Sequence, residues 1–265
     1  MTSLPKSTDK KLGLVIDLDI CVGCQACAVS CKEWNTGGAA GPMEDRDAYG
    51  MEPEGVWFNR VHSYEVEDLT GVDNLGIGQL ENSGGCGANG STVHMPKSCL
   101  HCEDAPCVTV CPTGASYKRE EDGIVLVNPD TCIGCKLCSW ACPYGAREYD
   151  LTAGVMKKCT LCVDRIYDDS IPEDRRVPAC VSACPTGARA FGDLGDPDSI
   201  VSQKVAKRET LDLMPSQGTK PVNAYLAPRK RNARTSTWTP KFDGLKSMIT
   251  RLTGKQSNAA DKAEQ

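Results

Sequence analysis

Sixteen of the seventeen cysteines in this 265-residue chain fall into four groups of four. The first is Cys21, Cys24, Cys27 and Cys31, with gaps of two, two and three residues. The second is Cys99, Cys102, Cys107 and Cys111, with gaps of two, four and three. The third, Cys132, Cys135, Cys138 and Cys142, repeats the spacing of the first. The fourth is split: Cys159 and Cys162, then seventeen residues, then Cys180 and Cys184. Three groups close on one word, Cys111-Pro112-Thr113-Gly114-Ala115, Cys142-Pro143-Tyr144-Gly145-Ala146 and Cys184-Pro185-Thr186-Gly187-Ala188, which marks an internal repeat.

A cubane [4Fe–4S] cluster has four irons, each taking one soft thiolate. Two-residue gaps let one tight loop set three sulfurs around a face of the cube, and a three-residue gap followed by Pro turns the fourth sulfur away. In bacterial two-cluster ferredoxins that fourth Cys ligates the other cluster, so spacing alone leaves the pairing of the groups open. Gly23 and Gly134 let backbone N–H groups turn toward cluster sulfur, where they stabilise the charge added on reduction. A lone C-x2-C fits zinc as well. Four quartets of near-identical spacing point instead to four [4Fe–4S] clusters on all sixteen cysteines, with a colourless zinc protein as the alternative.

Many cysteines in a short secreted chain would suggest disulfides. Here no apolar h-region follows Met1, no twin-Arg pair stands near the start, and no stretch approaches the ~18 apolar residues that span a bilayer. The expectation is a cytoplasmic chain with reduced thiols and no direct membrane span. Aromatics are 5% of residues and Phe occurs three times, against 25 Gly, so the clusters must supply much of the folding free energy. Residues 229–265 hold nine Lys/Arg against three Asp/Glu, a net of +6, which leaves -11 on the rest of a chain whose total is -5. That basic stretch reads as a solvated, disordered tail rather than a nucleic-acid arm, and no nucleic-acid partner is expected.

The elements that position the cysteines are short. Leu12-Gly13-Leu14-Val15-Ile16-Asp17 reads as a strand leading into the first group. Asp122-Gly123 between Ser116-Tyr117-Lys118-Arg119 and Ile124-Val125-Leu126-Val127 predicts a hairpin. Residues 56–61 and 63–66 form another strand-like run, and seven glycines between Leu69 and Thr92 predict a loop. Asp196-Pro197-Asp198-Ser199 signals the start of a helix of about three turns through Val201 and Val205.

Other residues carry weaker signals. Cys86 belongs to no quartet and reads as a free loop thiol; the G-x-G-x-x-G pattern around it lacks a preceding strand and a following helix. His101 lies between Cys99 and Cys102, where it reads as a surface loop residue or, less simply, an N–H donor to a cluster. His62 and His94 have no metal-like spacing. Lys97, Lys136, Lys157 and Lys158 flank ligands, where a positive charge raises a reduction potential and a solvated lysine would look the same. Residues 242–252 have apolar positions at helical spacing with basic residues between them, a pattern shared by surface-binding amphipathic helices and disordered tails.

From residue 13 to about 228, the four-group pattern resembles the iron–sulfur subunits of complex molybdoenzymes. That family includes dimethyl sulfoxide reductase, polysulfide reductase, formate dehydrogenase and nitrate reductase. The resemblance implies that groups one and four pair, as do two and three. A first cluster then falls to Cys21, Cys24, Cys27 and Cys184, and a second to Cys31, Cys159, Cys162 and Cys180. Cys99, Cys102, Cys107 and Cys142 would hold a third, and Cys111, Cys132, Cys135 and Cys138 a fourth. Some relatives have Trp at the second Cys of group three and a three-iron cluster; Cys135 implies four irons throughout.

The implied fold is α+β: two ferredoxin-like modules, each with two [4Fe–4S] clusters. The outer module would comprise residues 12–68 and 150–197, and the inner one residues 94–149. A Gly-rich loop (69–93), a helix and docking tail (198–228) and the basic tail (229–265) complete the expected organisation. No Walker loop, haem attachment or radical C-x3-C-x2-C run is present, so the chain reads as a non-catalytic redox subunit. Its implied partners are a molybdopterin-containing catalytic subunit and an integral membrane quinone-reactive subunit at the inner face of the cytoplasmic membrane. Residues 55–61, 97–107 and 155–159 are most similar to cytoplasm-facing sulfite dehydrogenases, with dimethyl sulfoxide and polysulfide reductases next. Formate dehydrogenase counterparts usually end in a membrane helix, which this sequence lacks. A stand-alone polyferredoxin is the reading from a different class; the insert at 36–59 and the stretch 220–228 favour docking surfaces instead.

Overall fold

The computed structural model describes residues 3–6, 9–36, 56–66 and 91–229. Cys86, the stretches 37–55 and 67–90, and the basic segment with its 242–252 pattern lie outside the described residues.

The fold is mixed α+β, built from the strand its sequence announces. Strand β1 (Leu12–Asp17) is central to a four-stranded sheet and buried on both faces. Leu12, Leu14 and Ile16 face the main core, and Val15 faces a smaller cluster with Val201 and Leu226. That two-sided burial explains why the run is continuously apolar rather than alternating. Two antiparallel hairpins come next in sequence. They are β2 (Asn59–Val66) with β3 (Ser91–Ser98), and β4 (Ser116–Lys118) with β5 (Val125–Val127). A third hairpin pairs β6 (Glu148–Asp150) with β7 (Val155–Lys157). The β4–β5 turn sits at the expected Asp-Gly, with buried Asp122 accepting from Ile124 N at 3.0 Å and Arg119 Nε at 3.1 Å. β3 begins at Ser91, so the expected glycine-rich loop gives way to strand before Thr92.

The main sheet is completed from the far end of the chain. β8 (Arg189–Asp193) pairs antiparallel with β1, β10 (Ala224–Leu226) pairs parallel with β1, and β9 (Thr210–Leu211) flanks β10. The stretch read as a docking tail is therefore partly a core element. Asn223 Oδ1 accepts from Leu14 N at 2.7 Å, Asn223 Nδ2 donates to Cys99 O at 2.8 Å, and buried Tyr225 donates to Pro96 O at 2.8 Å. These bonds stitch β10 and the residue before it to β1, β3 and the start of the second cysteine group.

The helices are short and belong to the cysteine runs. α1 (Ala26–Thr36) carries Cys27 and Cys31, α2 (Pro106–Thr109) carries Cys107, and α3 (Leu137–Trp140) carries Cys138. α4 (Val163–Ile166) starts just after Cys162, and α5 (Ala179–Ser182) carries Cys180. The helix predicted after Ser199 is α6 (Ile200–Ala206), nearer two turns than three. Ser199 Oγ caps it by accepting from Ser202 N at 3.1 Å, while Pro197 stays in the preceding turn. Among the described residues, no helix is long and apolar enough to cross a membrane. Eight buried residues of the main core are cysteines, so the sulfur sites and the core are one region.

Candidate metal centres

One backbone device recurs in every quartet. The residue before the second cysteine is left-handed in all four: Gly23 (φ 67°), His101 (φ 48°), Gly134 (φ 64°) and Leu161 (φ 55°). Such a residue reverses the chain between two cysteines and directs both toward one centre. At Gly134 a Cβ would also meet the Gly154 carbonyl oxygen, at 2.5 Å. His101 and Leu161 take the same conformation with a side chain present, which costs backbone energy that burial must offset. His101 is thus not the surface loop residue the sequence suggested: it is 0% exposed. Its Nδ1 accepts from Val125 N at 3.1 Å, which places the proton on Nε2. Burial, aided by Lys158, Arg147 and Lys118, holds its pKa well below the ordinary histidine value.

The sulfurs gather as follows. Burial pushes the Cys31 thiol up, and Cys159, Cys180 and Cys162 push it further. Burial, then Cys99, Cys107 and Cys142, raise Cys102 to about 12. Cys21 is raised by burial and has Cys27 and Cys184 as neighbours. Exposed Cys24 joins that set only through its place in the same loop. Cys111, Cys132, Cys135 and Cys138 line one cavity with Thr113, Val127, Ile133 and Met156. Adjacent sets also lie within electrostatic reach of one another. Cys180 feels Cys27, buried Cys159 feels Cys99, and Cys138 feels Cys107 as well as Cys111. Among the described residues, no group of three or more His, Cys, Asp or Glu converges as closely as the ligands of a single ion must.

Buried thiols that raise one another's pKa cannot all ionise unaided; a bound metal core removes the protons outright. The protein supplies the remaining compensation as N–H donors to sulfur. Ser116 N reaches Cys111 at 3.3 Å, Met156 N reaches Cys132 at 3.4 Å, and Ala179 N reaches Cys162 at 3.4 Å. Asn35 Nδ2 donates to Cys31 at 3.6 Å and to Cys162 at 3.5 Å. At Cys111 burial works against the thiolate, but Ser116 N–H and the Thr113 hydroxyl outweigh it and the pKa falls. Cys184 repeats this with the Thr186 hydroxyl and Arg189 N–H. Soft sulfur ligands, N–H donors aimed at them, and buried donors with no partner all fit iron–sulfur clusters. Among the unpartnered buried donors are His101 Nε2, Arg147 Nε and Nη1, and Arg189 Nε.

The two arginines were not legible as site residues. Arg147 Nη2 donates to Cys107 Sγ at 3.0 Å, and Arg189 Nη1 donates to Cys180 Sγ at 3.4 Å. A signal was present: both follow the repeated Cys-Pro-x-Gly-Ala word directly. Of the four flanking lysines, Lys158 is buried and donates to Cys159 O at 2.6 Å. Lys157 pairs with Asp150 at 2.5 Å, and Lys136 and Lys97 lie over the rings of Tyr149 and Tyr64. His62 and His94 stand in β2 and β3, with His94 Nδ1 2.9 Å from Ser63 Oγ.

Residues 91–194 match the family model described as a 4Fe-4S dicluster domain. The chain is 56% identical over 220 residues to the B subunit of sulfite dehydrogenase from Allochromatium vinosum, covering 83% of this chain and 84% of that protein. It is 37% identical over 222 residues to the B subunit of polysulfide reductase from Wolinella succinogenes, covering 84% and 96%. It is 36% identical over 184 residues to the B subunit of anaerobic dimethyl sulfoxide reductase from Escherichia coli, covering 69% and 74%. The thiol sites, together with these relatives, define an iron–sulfur electron-transfer protein. More narrowly, the chain belongs to the iron–sulfur electron-transfer subunits of molybdoenzyme complexes.

Proposed function

We propose that this chain holds four [4Fe–4S] clusters in a row and relays electrons between a molybdopterin catalytic subunit and a quinone-reactive membrane subunit. The reaction favoured is oxidation of sulfite to sulfate at the cytoplasmic face of the membrane. Each cluster, when bound, accepts and donates one electron. The observation that carries the reading is the succession of sulfur neighbourhoods. Cys21, Cys27 and Cys184 lead through Cys27–Cys180 to the set of Cys31, Cys159 and Cys162. Cys159–Cys99 leads on to Cys102, Cys107 and Cys142, and Cys107–Cys138 to the cavity of Cys111, Cys132 and Cys135. In this reading groups one and four make an outer pair and groups two and three an inner pair. In this reading residues 12–68 and 150–197 form one module and residues 94–149 the other, with residues up to 228 binding them together.

The ends of the row support transfer to partners. Of the sixteen ligands only Cys24 and Cys135 are exposed, and they belong to the two terminal sets. Exposed apolar residues share their segments: Val22 and Val29 near Cys24, and Ile133, Leu137 and Trp140, which is 80% exposed, near Cys135. Two separate apolar ends suit two docked proteins better than a freely diffusing polyferredoxin. Sulfite is preferred because the relative at 56% identity is a sulfite dehydrogenase subunit. The second reading runs the same relay in reverse, toward a dimethyl sulfoxide or polysulfide reductase, as the names of the other relatives suggest. Deleting the gene and assaying membranes with sulfite and a quinone analogue separates them. Loss of sulfite oxidation is expected; unchanged sulfite oxidation with loss of a reductase activity would overturn the sulfite assignment.

A further inference from the structure

Two buried arginines lie at equivalent places in the repeat, five residues after Cys142 and Cys184. Each is only 4% exposed. Among the described residues, neither forms an ion pair with a carboxylate. A buried guanidinium without a counter-charge costs several kcal/mol, so the anions that hold it must be close by. They are the cysteine sulfurs. Burial opposes the charge on Arg147, but Cys107, Cys138 and Cys99 outweigh it and raise its pKa. At Arg189 the same opposition is overcome by Cys180 and Cys27, with Tyr225 and Cys159 adding.

These neighbours come from two sets in each case. Arg147 touches Cys107 and lies by Cys99, both of the third set, while Cys138 is of the fourth. Arg189 touches Cys180 and lies by Cys159, both of the second set, while Cys27 is of the first. Each arginine is also fixed by a neutral acceptor: Arg147 Nη2 donates to Ser116 Oγ at 2.7 Å, and Arg189 Nη2 to Asn59 Oδ1 at 2.6 Å. Ser116 occupies the same position after the Cys111 word, so one repeat holds the arginine that another supplies.

We propose that Arg147 and Arg189 are redox-positioning residues: each fixes one positive charge between two neighbouring clusters, raises the reduction potential of both, and lessens the repulsion that the first electron exerts on the second. The inference rests on the four-cluster reading above. Each transfer moves one electron from a cluster to its neighbour; no bond forms or breaks, and the guanidinium keeps its proton, as arginine side chains do in proteins. Arg147 serves the third and fourth clusters, and Arg189 the first and second.

The test uses the full chain prepared anaerobically, with iron and sulfide counted first and a dithionite potentiometric titration followed by EPR. In Arg147→Gln the reduction equilibrium of the third and fourth clusters should fall about tenfold, which is about 59 mV for a one-electron couple. The first and second clusters should not move. Arg189→Gln should show the converse, and Arg147→Lys and Arg189→Lys should restore most of the shift. Fully loaded Gln variants with unmoved potentials, or a shift spread equally over all four clusters, would overturn the proposal. If a Gln variant loses clusters, its Lys counterpart decides: potentials near wild type sustain the proposal, and a fall as large as about tenfold despite the retained charge refutes it. A wild-type chain with fewer than four clusters would instead overturn the reading beneath.

Discussion

Arg60→Met removes the cation from a buried ion pair that joins β2 to β6, one residue from Arg147. Arg60 Nη1 bonds Glu148 Oε1, and their side chains are 11% and 6% exposed. Glu148 also accepts from Trp57 N at 2.6 Å. Burial already pushes the Glu148 carboxyl above its ordinary pKa, although Arg60 opposes the shift. Removing one partner of such a pair costs about 3–5 kcal/mol. If that loss appears in the unfolding step, bleaching of the visible chromophore in guanidinium should quicken about 10²–10⁴-fold. The pH dependence has a defined sign. Without Arg60 the folded-state pKa of Glu148 rises further above its unfolded value, so the penalty is full above the folded pKa and shrinks as pH falls through it. The double variant Arg60→Met/Glu148→Leu removes the stranded carboxylate and should return close to wild type. Stopped-flow bleaching at alkaline and mildly acidic pH reads all three. An Arg60→Met rate within about threefold of wild type at alkaline pH, or a double variant worse than the single, would refute the reasoning.

Gly187 and Gly134 are both left-handed, but a Cβ at Gly187 meets nothing within 4 Å whereas one at Gly134 meets a backbone carbonyl. Gly187→Ala should therefore load fully and lose only about 1–2 kcal/mol, while Gly134→Ala should lose the iron of its own cluster, as metal analysis would register. Tyr167 donates to buried Asp122 at 2.8 Å, and burial with that carboxylate pushes its hydroxyl up to about 12. Ultraviolet titration should show a late-ionising tyrosine that disappears in Tyr167→Phe, with about 1 kcal/mol lost from the hydrogen bond; an unchanged titration would count against it. Cys135→Ser should convert one cluster to a three-iron form, lowering iron by about one per chain and adding a three-iron EPR signal. Quinone-linked turnover should then fall more than turnover with an artificial acceptor.

Features set by local chemistry are legible in the sequence. The quartets follow from ligand spacing, β1 from its unbroken apolar run, the β4–β5 turn from Asp122-Gly123, and α6 from the Ser199 cap. What escaped depends on distant partners. β10 is only three residues long and pairs with a strand some two hundred positions earlier, so nothing nearby marks it as core. His101 looks like a loop histidine because its burial comes from β5 and from cations elsewhere in the chain. Arg147 and Arg189 carry the residue type most expected at the surface, and their counter-charges are sulfurs from other groups. The repeat did mark their position. Extending the Cys-Pro-x-Gly-Ala word by one residue gives Ser, Arg and Arg, which are the three occupants joined or placed alike by the structure.

Iron and acid-labile sulfide per chain, measured on anaerobically purified full-length protein, test the central claim most directly. Sixteen cysteines in four complete quartets predict about 16 iron and about 16 sulfide in a brown protein, with no stoichiometric zinc. A colourless chain holding zinc with little sulfide, or one that saturates at about 8 iron, would contradict the four-cluster relay.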